Sequence, residues 1–116
     1  MDQYIDYETF EKTQIHVGTI TAVEELSDAR IPAYVLDIDF GPLGTKRSSA
    51  QITDLYRPED LEGKQVFAVT NLEPKQVGKV VSECLVLGVY TGVNEQGDEV
   101  VLATPDQPVR NGLRLL

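Results

Sequence analysis

The residues with most chemistry to offer stand in one run, Lys46-Arg47-Ser48-Ser49-Ala50-Gln51-Ile52-Thr53. Two adjacent cations lead into small hydroxyl and amide side chains. A buried strand would carry Val, Ile or Phe in those places. A merely solvated loop would have no use for Ile52, which leads on to Leu55 and Tyr56. The run suits backbone held close to a polar ligand with donors facing outward. A hairpin shoulder with a capped turn is the plainer reading of the same residues. Lys46 and Arg47 can contact phosphates, one as a point charge and the other as a fork. They can equally be solvated cations that keep a strand edge from pairing. Gln51 and Asn71 each carry an amide with donor and acceptor, able to read a base edge or a peptide group. Lys75 follows Pro74, whose restricted backbone can aim the ammonium at a groove.

The residue types of catalysis are present, but their pattern is poor. Ser82 and Glu83 put a hydroxyl beside an acid, yet a serine nucleophile needs a positioned base. His16 is the only histidine, and nothing in the sequence ties it to Ser82. Cys84 is the only cysteine and lies in an apolar run, where it reads as a small buried hydrophobe. Asp37 and Asp39 lie two apart on one strand face, which they keep wet. No His/Cys cluster points to zinc, and no metal or other cofactor is expected. The expectation is a protein that is not an enzyme. The alternatives are a small hydrolase-like enzyme using Ser82 or Cys84, and a purely structural dimerisation module.

These residues are positioned by short strands. Ile15 to Leu26 reads as the first, with Ile15, Val17, Thr19, Thr21 and Val23 on one face and Ile20 and Ala22 on the other. Gly18 in its middle suggests a bulge or tight bend. Tyr34 to Phe40 alternates four large apolar groups with Val35, Asp37 and Asp39. Gly41-Pro42-Leu43-Gly44 turns the chain into a third strand, Thr45 to Ser49. Arg57-Pro58-Glu59-Asp60-Leu61 suits a short helix start, ended by Gly63. Gln65 to Thr70 is a fourth strand, buried on both faces. Asn71 to Lys75 is a loop, and Val80 to Tyr90 is a fifth strand interrupted at Ser82-Glu83. Asn94-Glu95-Gln96-Gly97-Asp98 reads as a hairpin turn, with Glu99 to Ala103 returning. At the N-terminal end, Tyr7 to Lys12 can form a helical turn that buries Phe10. At the other end, Leu113, Leu115 and Leu116 need cover from the domain or a second subunit.

The pattern is all-β. A helix between strands 3 and 4 of a five-stranded set is the connectivity of an OB-fold barrel, here with N- and C-terminal extensions. The 116 residues fit a single domain, 1–116, large enough for a core. No apolar run approaches the roughly 20 residues that span a bilayer. Met1-Asp2-Gln3-Tyr4 is acidic and polar, unlike a signal peptide. A lone cysteine fits a reducing, cytoplasmic setting. The net charge of −9 weighs against a phosphate-rich partner, but it is unevenly spread. From Lys46 to Lys79 six cations face five acids, leaving four cations against fourteen acids elsewhere. The strand aromatics fall on apolar faces, so folded RNA or a peptide suits this chain better than generic single-stranded DNA.

Several ordered motifs then resemble one family. They are Phe10-Glu11-Lys12 before Ile15 and Val17-Gly18, then Ser49-Ala50-Gln51-Ile52-Thr53, then Asn71-Leu72-Glu73-Pro74-Lys75, then Ser82-Glu83. Last comes Pro105-Asp106-Gln107-Pro108-Val109-Arg110-Asn111-Gly112. Together they resemble the tRNA-binding-domain OB-folds, which include the C-terminal domains of some methionyl-tRNA synthetases and free-standing relatives. The match covers nearly the whole chain. It is nearest to the branch of small free-standing bacterial proteins described as chaperones with export-related activity. Where the general family pattern has Ser-x-Gly-Met, this chain has Ser82-Glu83-Cys84-Leu85, and His16 stands where many members carry Arg. The resemblance implies a non-catalytic, cofactor-free homodimer. It implies a surface groove that docks tRNA, tRNA-like RNA, or unfolded or pre-export polypeptide. The residues it assigns to that groove are Lys46, Ser49, Gln51, Asn71, Lys75 and Ser82, to which Arg47 and the apolar Leu85 are added as candidates. Segments at both chain ends resemble those that build the family's dimer contact.

Overall fold

The computed structural model describes residues 3–26, 31–92 and 99–115. Its core begins with the alternation in strand β2, Tyr34–Asp39. Tyr34, Leu36, Ile38 and the following Phe40 are all buried, while Asp37 and Asp39 stay partly exposed. Each such large side chain removed from water contributes about 1.5–3 kcal/mol, so this one strand face is a major source of stability. A short 3-10 turn, Gly41–Leu43, carries the chain into strand β3, Thr45–Ala50.

Strand β1, Ile15–Glu25, pairs with β2 through its second half and with strand β4, Gln65–Val69, through its first. The expected facing of β1 holds only up to Ile20. The register with β2 shifts between Ile20 and Ala22, so Thr21 is the bulged residue. One extra residue reverses the alternation. Ile20 faces Ile38, and Val23, three residues on, faces Leu36 and packs against the same core. Gly18 is not the bulge. A Cβ there would lie 2.6 Å from Ile38 Cγ2 and 2.7 Å from Phe40 Cδ1, so glycine is what lets the Phe40 ring pack onto the strand.

Helix α2, Pro58–Leu61, stands between β3 and β4 as the sequence leads one to expect. The Asp60 carboxylate accepts from the Arg57 backbone N–H at 3.0 Å, proline opens the first turn, and Gly63 follows at φ +87°. Leu61 is fully buried and joins the central cluster with Ile52, Val66, Ala68 and Leu102. Leu61 thus ties the helix to the barrel interior.

The expected fifth strand is several short ones. Strand β5, Lys75–Val77, forms a hairpin with β6, Val80–Ser82, through Gly78 and Lys79. Lys75 therefore opens a strand and does not end a loop. Strand β7, Leu85–Val86, pairs with β4, and β8, Gly88–Tyr90, pairs with β9, Val100–Leu102. The turn expected at Asn94 to Asp98 lies outside the described residues. The main sheet runs β3-β2-β1-β4-β7, antiparallel throughout. Its two ends nearly meet, because Glu83 N–H donates to the Arg47 carbonyl at 2.7 Å and Ser82 Oγ accepts from Ser49 N–H at 3.1 Å. The result is an OB-fold-like five-stranded barrel.

The C-terminal stretch straps the edge of β1 that β2 leaves free. Gly112 N–H donates to the Val17 carbonyl, Val17 N–H to Leu113, and Leu115 N–H to Ile15, at 2.8–3.0 Å. Gln65 secures the strap by bonding both backbone groups of Val109 and the side chain of Asn111. Helix α1, Tyr7–Glu11, is capped by Asp6, whose carboxylate accepts from Thr9 N–H at 2.7 Å. It does not bury Phe10; no residue of α1 is buried.

Candidate functional site

The seam that closes the barrel borders an open groove of about 480 Å³. Its polar lining comes from Asp37 on β2, Lys46 and Arg47 on β3, Lys79 at the tip of the β5–β6 hairpin, and Glu83 just beyond it; Val81 supplies an apolar wall. The pleat of β3 decides how the cations are presented. Ser48 is fully buried, so its neighbour Arg47 emerges on the outer face, opposite Asp37. Arg47 Nε donates to Asp37 Oδ1 at 2.9 Å, and both side chains stay partly exposed. That hydrogen bond and the charge beside it hold the guanidinium in its charged form even more firmly than usual. Among the described residues, Lys46 and Lys79 make no ion pair.

Glu83 is tied to Arg47. Its Oε1 accepts from Arg47 N–H at 2.9 Å while its own N–H donates to the Arg47 carbonyl. Sequence reasoning missed Lys79, Val81, Asp37 and Glu83 as groove residues. Lys79 had a signal, since Val77-Gly78-Lys79-Val80 is a two-residue hairpin with glycine first. The structure gives Gly78 a φ of +58°.

The eight residues singled out from sequence divide into groups. Lys46 and Arg47 line the groove, and Ser49 and Ser82 lie along the seam beside it. Lys75 is exposed and sits directly across from Ser82 in the β5–β6 register. Leu85 is 49% exposed and faces Val69 on β4. Gln51 is exposed just past the end of β3. Asn71 has a scaffolding task, since its amide donates to the Lys12 carbonyl at 2.6 Å and accepts from Gln14 N–H at 3.0 Å. It thereby ties the segment after α1 to the end of β4.

Ser82 and Cys84 are poorly disposed as nucleophiles. The Ser82 hydroxyl accepts from Ser49 N–H and donates to the Cys84 carbonyl at 3.2 Å. The one imidazole, His16, is buried and hydrogen-bonds Thr70 Oγ1 through Nδ1 at 2.8 Å. Burial pushes the Cys84 thiol up to about 11, so it is protonated at neutral pH. Asp39 Oδ1 accepts from Gly41 N–H, so this carboxylate and Asp37 both have structural partners.

A second groove, of about 220 Å³, opens where the two chain ends meet. Tyr7 and Phe10 of α1 lie on one side, with ring centroids 6.2 Å apart, and Arg114 and Leu115 on the other. Arg114 donates to the Glu11 carbonyl at 2.6 Å. In the terminal segments Tyr4 and Ile5 are largely exposed, and Leu113 and the groove-lining Leu115 remain about two-fifths exposed.

Comparison with known proteins puts this architecture in context. Residues 15–114 match the model of the family described as "Putative tRNA binding domain". The crystal structure of the chaperone CsaA from Bacillus anthracis str. Ames is 47% identical with a TM-score of 0.88, covering 98% of this chain and 100% of that one. The CsaA chaperone protein of Picrophilus torridus is 43% identical with a TM-score of 0.88, covering 97% and 100%. Methionine–tRNA ligase of Pyrococcus furiosus is 32% identical over 97% of this chain, which spans only 15% of that protein's length. Among the described residues, no helix is long and apolar enough to cross a membrane.

Proposed function

The chain belongs to the tRNA-binding-domain family, and from that premise we propose that it is a non-catalytic RNA-binding protein of the cytoplasm. It docks tRNA or tRNA-like RNA along the closing seam of the barrel, acting as a homodimer. The observation that carries this reading is the groove beside the seam, which Lys46 and Lys79 line with no ion-pair partner among the described residues. Two uncommitted ammonium groups beside an open cleft can neutralise phosphates and release their counterions. Ser49, Gln51, Lys75 and Ser82 extend the polar track, while Asn71 holds the end of β4 to the segment after α1. Catalysis has little support, since the Ser82 hydroxyl is engaged on both sides and the Cys84 thiol is held protonated.

A second ligand is favoured by specific features of the same surface. Val81 and Leu85 are 46% and 49% exposed beside the polar track, and apolar surface of this kind suits the side chains of an unfolded or pre-export polypeptide. An extended polypeptide and an RNA strand both offer a repeating polar backbone with flat or apolar side groups, so one groove can serve both. The chaperones among the similar structures agree with this. The homodimer contact is proposed at the second groove, where apolar residues from both chain ends lie exposed. Competition tests the shared groove. A labelled tRNA bound at low salt should be displaced by a reduced, unfolded polypeptide. Simultaneous binding of both ligands would show two separate surfaces.

A further inference from the structure

The groove proposed for RNA is not uniformly basic, and its two acids are held in place. Asp37 is locked to Arg47 by a 2.9 Å bond, so the guanidinium brings almost no net charge to a ligand. Glu83 is held at both ends, by its N–H on the Arg47 carbonyl and by Oε1 on the Arg47 N–H. The side-chain bond biases the exposed Glu83 carboxylate toward the groove, and the backbone bond fixes where its side chain starts. Its second carboxylate oxygen receives no hydrogen bond from a described residue. Of the three cations lining the groove, one is neutralised by Asp37, and the Glu83 carboxylate opposes Lys46 and Lys79. A site selected only for phosphate density would have no use for either acid, because like charge across an interface mainly excludes partners.

We propose that Asp37 and Glu83 are specificity-determining residues that weaken the groove's hold on a continuous phosphate backbone. This deepens the reading given above and rests on it. A ligand gains full affinity only if its anionic group reaches Lys46 or Lys79 while a hydrogen-bond donor meets Glu83. The ribose-phosphate chain of bulk RNA satisfies the first condition at every nucleotide and the second only where a base or hydroxyl is suitably turned. The two carboxylates therefore act as a filter against indiscriminate RNA binding on a protein whose remaining surface is already acidic.

The test uses the full chain and an unfractionated tRNA pool, titrated from low to moderate salt. The variants are Asp37→Asn and Glu83→Gln, each keeping an oxygen that can accept from Arg47. Lys46→Ala is carried alongside, and thermal melts establish that every variant is folded. Each neutralised acid should tighten binding on the order of five-fold at low salt. Asp37→Asn, which releases Arg47 for phosphate, should also steepen the dependence of log K on log salt by about 0.7–0.9, whereas Glu83→Gln frees no cation and should leave the slope nearly unchanged. Tighter binding in the acid variants, even if wild type binds only weakly, supports the filter. Equal affinity and slope in wild type and acid variants, with Lys46→Ala weakened, would overturn the filter and leave the groove reading intact. Binding that ignores Lys46→Ala, or no binding by any variant at low salt, would remove the groove reading and the filter with it.

Discussion

Replacing Ser82 with alanine separates two readings of the same hydroxyl. In the structure, Ser82 Oγ accepts from Ser49 N–H at 3.1 Å and donates to the Cys84 carbonyl at 3.2 Å, across the seam where β3 meets the far end of the sheet. Alanine removes both bonds and leaves a partly buried Ser49 N–H without its acceptor. A typical intramolecular hydrogen bond contributes about 0.5–1.5 kcal/mol, and an orphaned, partly buried donor costs about 1–3 kcal/mol. Because the residues at the seam are only half-buried, water recovers part of this, and the expected loss is about 1–2 kcal/mol. Unfolding entropy scales with chain length, so for 116 residues each kcal/mol moves the melting temperature by roughly 4 °C. Ser82→Ala should therefore melt about 4–8 °C lower, measured by circular dichroism or calorimetry. Ser82→Thr, which keeps the hydroxyl, should recover most of the loss. RNA affinity should fall only a few-fold, through a looser seam. An unchanged melting temperature would refute the closing role of the hydroxyl.

Other consequences follow from the packing and the titrating groups. Gly18→Ala pushes a Cβ into Ile38 and Phe40, both fully buried, and overpacking of this kind costs about 1–3 kcal/mol; a variant as stable as wild type would show that the Phe40 contact is not close. Burial, with Arg114 nearby, lowers the affinity of His16 for a proton below its ordinary value of 6.5, so the fold favours the neutral ring. The stability this contributes is present above the ordinary value of 6.5 and is lost as pH falls through and below it, so wild type should weaken on acidification through that range more than His16→Asn does. Parallel pH profiles for the two proteins would contradict that. With its thiol pushed up to about 11, Cys84 should resist a thiol-alkylating reagent at pH 8 while the unfolded chain reacts. Equal rates in the two states would mean that the thiol is exposed.

The parts of the fold legible in the sequence were those written in side-chain alternation and turn residues. Tyr34 to Phe40 announced a strand with its two carboxylates toward water, although Val35 on that same face is buried in a second cluster with Leu26 and Ala33, and proline with acids behind it marked α2. The barrel followed from the position of that helix. The bulge at Thr21 was not legible, because a bulge is a property of hydrogen-bond register and Thr21 has no side chain that demands one. Gly18 drew attention instead, but its glycine serves the Phe40 ring on the next strand. The β5–β6 hairpin was missed because Lys75, Gln76 and Val77 are mostly exposed and show no buried face.

For the candidate site, the Lys46 to Thr53 run pointed to β3, which borders the groove, but not to the neighbours that shape the groove's charge. Asp37 reaches Arg47 only through antiparallel pairing between β2 and β3, and Glu83 reaches it only when the barrel closes. Asn71 looked like a ligand contact, and its side chain is spent on the N-terminal segment, a partner 57 residues away.

The central proposal, that RNA docks against the cations along the barrel seam, is tested most directly by the salt dependence of tRNA binding. Wild type should be compared with a Lys46→Ala/Lys79→Ala double variant, which removes the two unpaired cations lining the groove. If both ammonium groups contact phosphate, the slope of log K against log salt should become shallower by about 1.4–1.8. Affinity at low salt should fall with it. An unchanged slope in a folded double variant, or no binding by the wild type even at low salt, would contradict the proposal.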